Sequence, residues 1–105
     1  MLKIGMRPVH PGEVLREDYL KPLGLSVNAL AKRLRVPTSR MNDIVLERRG
    51  ISADTALRLT RCFGGDAQNW LNLQAIYDLR KVEMVSAKTI KAEVEPLRRA
   101  DFAQR

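Results

Sequence analysis

Ser26-Val27-Asn28-Ala29-Leu30-Ala31-Lys32-Arg33-Leu34, a break at Arg35-Val36-Pro37, then Thr38-Ser39-Arg40-Met41-Asn42-Asp43-Ile44-Val45: this stretch carries the architecture of the chain. Ser26 is placed to cap a helix. Val27, Leu30, Ala31 and Leu34 then follow at the i, i+3, i+4, i+7 spacing of one helical face. Beyond the break, Met41, Ile44 and Val45 line one face of a second helix. Leu30, Leu34, Val36, Met41 and Ile44 give the pair a shared core, with small Ala31 where two steeply crossed helices approach. Such a pair is a helix-turn-helix, whose second helix enters the major groove of DNA. A plain αα-hairpin has the same apolar pattern, and charge favours the first reading. Residues 26–51 carry Lys32, Arg33, Arg35, Arg40, Arg48 and Arg49 against Asp43 and Glu47, net +4.

The outward residues at the start of the second helix are Thr38, Ser39, Arg40, Asn42 and Asp43. They are expected to bind DNA, since arginine grips guanine and asparagine grips adenine through paired hydrogen bonds. Arg48 and Arg49, just past that helix, are expected on the phosphate backbone. Arg35 occupies a turn position where a left-handed backbone favours glycine. Either a strain of about 1 kcal/mol is borne there or the turn differs.

Working outward, helices are expected throughout and strand alternation is nearly absent. A first helix opens at His10-Pro11-Gly12-Glu13, with Leu15, Tyr19 and Leu23 as its buried stripe and Gly24 as its stop. Ser52 caps a fourth helix whose face is expected at Ala53, Ala56, Leu57 and Thr60, backed by Leu59 and Phe63. Gly64-Gly65 ends it. Asp66 caps a fifth helix with Trp70, Leu73 and Tyr77 on one side and Leu71, Ala75 and Leu79 on another. Two apolar sides point to a homodimer interface at Leu71, Ala75 and Leu79. Residues 86–95 read either as a packed helix or as a mobile tail.

The chain has 105 residues, one domain's length, with 19 basic against 12 acidic residues, net +7. That balance suits a polyanionic partner. No apolar run is long enough to span a membrane and no secretory signal is visible, so a cytoplasmic place is expected. The single cysteine, Cys62, excludes an internal disulfide and a cysteine-built zinc site. It is expected as a buried small hydrophobe. The single histidine, His10, reads as a helix-opening residue and not a catalytic base. Trp70 and Tyr77 read as core or dimer packing. Nothing assembles a nucleophile, a base and an orienting group, so neither catalysis nor a cofactor or metal is expected.

His10-Pro11-Gly12-Glu13-Val14-Leu15, Leu30-Ala31-Lys32, Arg48-Arg49-Gly50-Ile51-Ser52, Ala56-Leu57-Arg58-Leu59, Phe63-Gly64-Gly65 and Trp70-Leu71-Asn72-Leu73-Gln74 with Tyr77-Asp78-Leu79 resemble the HigA family of antitoxins, within the Xre-type, lambda-repressor-like proteins. The resemblance spans about residues 7–83. It implies an all-α, five-helix DNA-binding domain over 1–83, leaving 84–105 as a helical or mobile extension. It also implies a homodimer, double-stranded operator DNA as one partner, and as another a HigB-type toxin, a RelE-related mRNA endonuclease. The implied function is toxin neutralisation with repression of the shared operon. A regulator of the same type without a toxin, and a toxin-binding module with a vestigial helix-turn-helix, are the alternatives. Two positions depart from the family pattern. Leu46-Glu47 replaces an Asn-Gly common before the arginine pair, and Arg35 replaces a small turn residue.

Overall fold

The computed structural model describes residues 7–98, and among the described residues there are five helices and no strand. Helix α1 covers residues 11–23: an α turn Pro11–Val14, a π turn Leu15–Leu20 and a closing α turn Lys21–Leu23. His10 opens it. The Gly12 N–H donates to His10 Nδ1 at 2.8 Å, and the buried imidazole meets the Tyr77 ring edge-on at 4.7 Å. The expected stripe holds at Leu15, and Tyr19 is half-buried on Phe63 and Trp70, but Leu23 is 62% exposed and Leu20 is buried in its stead. The π turn is the cause. The Lys21 N–H donates to the Arg16 carbonyl, five residues back, and one extra residue in a turn rotates the following face by about 100°. The wide turn also leaves room ahead of Pro22, whose ring would crowd the carbonyl four residues back.

Gly24 closes α1 in the left-handed conformation, with Leu25 N–H donating to the Leu20 carbonyl at 3.0 Å. Helix α2, Val27–Leu34, is capped by Ser26 Oγ, which accepts from the Ala29 N–H at 3.0 Å. It ends through the same motif without a glycine. Arg35 has φ 59° and ψ 45°, and Val36 N–H donates to the Ala31 carbonyl at 3.1 Å, so the strain at the turn is borne. Helix α3, Thr38–Val45, ends likewise at Glu47, φ 63°, with Arg48 N–H donating to the Asp43 carbonyl at 2.8 Å. Each departure from the family pattern thus contains one of the two non-glycine residues of positive φ among the described residues, Arg35 and Glu47.

Helix α4, Ala53–Phe63, is capped by Ser52 Oγ accepting from the Thr55 N–H at 3.3 Å. Its buried face is Thr55, Ala56 and Leu59. Ala53 and Leu57, expected inside, are exposed, Leu57 to 64%. The packing of Leu59 and Phe63 towards the Tyr19–Trp70 cluster selects one of two overlapping apolar frames. Cys62, expected to be buried, is exposed for the same reason.

Helix α5, Ala67–Glu93, is capped by Asp66, whose Oδ1 accepts from the Gln68 N–H at 3.0 Å. Its first turns bury Trp70. It then runs without a break across residue 83, taking in most of the segment read as helix or tail. That segment is helical to Glu93 and exposed, not packed. At 1.5 Å per residue the helix is about 40 Å long. The molecule measures 57 × 30 × 26 Å, and its radius of gyration, 18.1 Å, exceeds the roughly 13 Å of a compact chain of this length. The core joins all five helices through Leu15, Leu30, Met41, Ile44, Leu59 and Trp70. Residues 99–105 of the expected extension lie outside the described residues.

Candidate nucleic-acid interface

Two long-range devices fix α3, and a third closes the end of α2 before it. A Cβ at Gly12 would stand 1.8 Å from the Ile44 carbonyl oxygen, so only glycine lets α1 lie against the backbone of α3. Arg16 Nη1 donates to the Val45 carbonyl, closing the end of α3, while its Nη2 pairs with Glu47 at 3.4 Å. Arg58 Nη1 donates to the Leu34 carbonyl at 2.8 Å and closes the end of α2. Cations at the negative ends of both helices are electrostatically favoured there. The loop after α3 is anchored too: Gln74 Oε1 accepts from the Ile51 N–H at 2.7 Å, and Gln74 Nε2 donates to Asp78 at 2.9 Å. Gly50 lies flat against that amide, where a Cβ would be 2.9 Å away.

With Met41, Ile44 and Val45 buried, α3 turns its other side outward. Thr38 and Ser39 are exposed, and Arg40, Asn42 and Asp43 are half-buried. Pro37, at the cap position, makes no side-chain bond to the first turn, so that positive helix end is left open to an anion. Arg48 and Arg49 are exposed just beyond the helix. All seven residues expected at DNA therefore lie on α3 or on the loop that follows it.

Two of the cations are already engaged. Arg48 Nη2 pairs with Asp43 Oδ1 at 2.8 Å. Arg40 Nη1 pairs with Asp54 Oδ2 at 2.8 Å, and the same oxygen accepts from Arg58 Nε at 2.9 Å. Arg58 first, and Arg40 after it, hold the Asp54 carboxyl below the usual carboxylate range. Arg49 forms no ion pair among the described residues. Beside Asp54 lies an open concavity of about 840 Å³, lined by Lys32, Arg33, Arg35, Arg58 and Arg61, with Cys62 at its wall. Sequence reasoning missed Arg16, Arg58 and Asp54. The Asp54–Arg58 pair was visible at i, i+4; the reach of Arg16 across the fold had no local signal.

On α5, Leu71 is half-buried and packs on its own core. Ala75 and Leu79 are exposed, and Ile76 and Val82 add to that apolar surface. Among the described residues no cluster of His, Cys, Asp and Glu could hold a metal ion. Among them, too, no helix is long and apolar enough to cross a membrane.

No family model matches the chain. It is 67% identical over 78 residues to virulence-associated protein I of Dichelobacter nodosus, covering 74% of this chain and 72% of that protein. The structure of antitoxin GraA superposes with a TM-score of 0.87 at 48% identity, covering 89% of this chain and 100% of that one. The Pseudomonas aeruginosa antitoxin HigA, solved with the higBA promoter, gives a TM-score of 0.84 at 49% identity over 88% of this chain and 100% of its own.

Proposed function

This chain belongs to the HigA family of Xre-type helix-turn-helix antitoxins, and from that premise we propose that it binds operator DNA as a homodimer, represses its own operon and neutralises a HigB-type toxin in the cytoplasm. It is a binding protein and carries out no chemical step. The observation that carries the DNA reading is α3 itself: a helix whose C-terminal end is held by distant Arg16, with an uncapped N-terminus and Thr38, Ser39, Arg40 and Asn42 turned outward. Thr38, Ser39, Arg40, Asn42 and Asp43 meet base edges or the phosphates beside them, and Arg48 and Arg49 meet the backbone. Ala75 and Leu79, with Leu71 at the margin, form the homodimer contact on α5. Two copies then read half-sites about 34 Å apart, or a multiple of that, on a near-palindrome.

The test is a mobility-shift titration on duplex DNA from upstream of the chain's own coding sequence, repeated at several salt concentrations. Arg40→Ala should cost about 1–3 kcal/mol and relax preference at one position of each half-site. Arg49→Ala should weaken all sequences alike and lower the salt slope by about one unit for each phosphate that is no longer neutralised. An identical, sequence-blind loss from both variants would make Arg40 a phosphate contact. Growth rescue against the product of the adjoining gene tests the toxin half. Rescue that survives Arg40→Ala separates the two surfaces, and an adjoining gene with no toxin favours a regulator acting alone.

A further inference from the structure

We propose that Asp54 is a specificity-determining residue of the DNA interface, acting as a tether that holds the Arg40 guanidinium in one orientation and keeps Arg58 away from phosphate. The proposal rests on the DNA-binding reading above and goes beyond it, because Asp54 is on α4 and is not among the positions expected at the bases.

The geometry is a short chain of contacts. One carboxylate oxygen, Asp54 Oδ2, takes Arg40 Nη1 at 2.8 Å and Arg58 Nε at 2.9 Å. Arg58 reaches on to the Leu34 carbonyl at 2.8 Å, the last turn of the first helix of the motif. Arg40 is thereby pinned from behind by a residue that α4 fixes in place. An untethered arginine at a groove edge swings to whichever phosphate is nearest, and that gain is the same for every sequence. An arginine held by one nitrogen offers its remaining donors in one direction, as a bidentate base contact needs.

The charge of Asp54 acts in the same sense. Its carboxylate stands beside α3, where a DNA backbone would pass, and repels phosphate whatever the base sequence. Its partner Arg58 borders the concavity whose other cations are Lys32, Arg33, Arg35 and Arg61. Without Asp54 that basic rim and Arg40 would merge into one surface with no sequence preference. Asp54 therefore lowers affinity for all DNA and lowers it least where Arg40 finds its base.

The experiment compares the intact protein with Asp54→Asn on two duplexes: the upstream duplex protected in footprinting, and a scrambled duplex of the same composition. Asp54→Asn should bind the scrambled duplex about threefold or more tightly than the parent does. The ratio of the two affinities should fall about tenfold, and the salt slope should steepen by about one to two units as Arg40 and Arg58 join the phosphates. In an Arg40→Ala background the same change should leave the ratio unaltered, because the tethered group is gone. Asp54→Glu keeps the carboxylate and should restore most of the ratio, which separates the tether from a loosened start of α4. An unchanged ratio and slope in a folded Asp54→Asn protein overturns the proposal. If the parent protein itself fails to separate the two duplexes, the DNA-binding reading falls, and the tether with it.

Discussion

A side chain at position 12 would meet backbone and not a movable group, because the atom in the way is the Ile44 carbonyl oxygen. Gly12→Ala must therefore push α1 off α3, and a loss of at least about 3 kcal/mol is expected in urea unfolding. The same change at Gly24, where nothing lies within reach of a Cβ, is limited to the cost of a left-handed alanine. The neighbouring His10 links stability to pH. Burial holds its imidazole below the ordinary value, against the opposing pull of Glu47 and Asp78. Neutral Nδ1 is also the acceptor that caps Gly12. As pH falls below about 6.5 the unfolded chain takes up the proton first, so stability, complete above that pH, is lost as pH falls through the folded pKa. His10→Asn keeps a capping oxygen and should flatten the pH dependence between about 7 and 5. A parent protein whose melting point is flat over that range would remove His10 as its cause.

At the scale of the element, three helices end in the same left-handed closure and only α1 uses glycine for it. Arg35→Gly should stabilise by about 0.5–1 kcal/mol in urea unfolding, since it relieves a left-handed arginine. Glu47→Gly should gain less or nothing, because it also removes the partner of Arg16 at 3.4 Å. Equal gains from both would show that the Arg16–Glu47 pair contributes little. These ends also show what was legible in the sequence. The capping residues Ser26, Ser52 and Asp66, the stop at Gly24 and the buried face of α2 and α3 follow from local chemistry, and they stand where local chemistry puts them. The far half of α1 was not legible, because a π turn changes the period on which a buried stripe is read. The face of α4 was not either. Leu57 and Leu59 lie on opposed sides, and only the distant Tyr19–Trp70 cluster chooses between them. For the candidate site, the outward residues of α3 were readable. The tether at Asp54 and the clamp at Arg16 join segments far apart in sequence and were not.

At the scale of the molecule, the body is a five-helix domain from which most of α5 extends. Leu79→Glu should leave the thermal stability of the body nearly unchanged, since Leu79 is 57% exposed. It should convert a dimer into monomers in light scattering and weaken operator binding through the loss of paired half-sites. A dimer that survives the change would move the interface off α5.

The long α5 also divides the chain into two parts of different durability. Within α5, amide groups before about Asp78 lie against the core and the Gln74 contacts, and they exchange with solvent mainly when the domain opens. From Arg80 to Glu93 each amide relies on its own helical turn, and a lone helical segment of that length is marginal in water. Deuterium should therefore enter the outer helix orders of magnitude faster than the body in dilute solution. If a second copy lies along Leu79, that difference should shrink as protein concentration rises, so the uptake rate of the outer helix reports how much of the protein is paired.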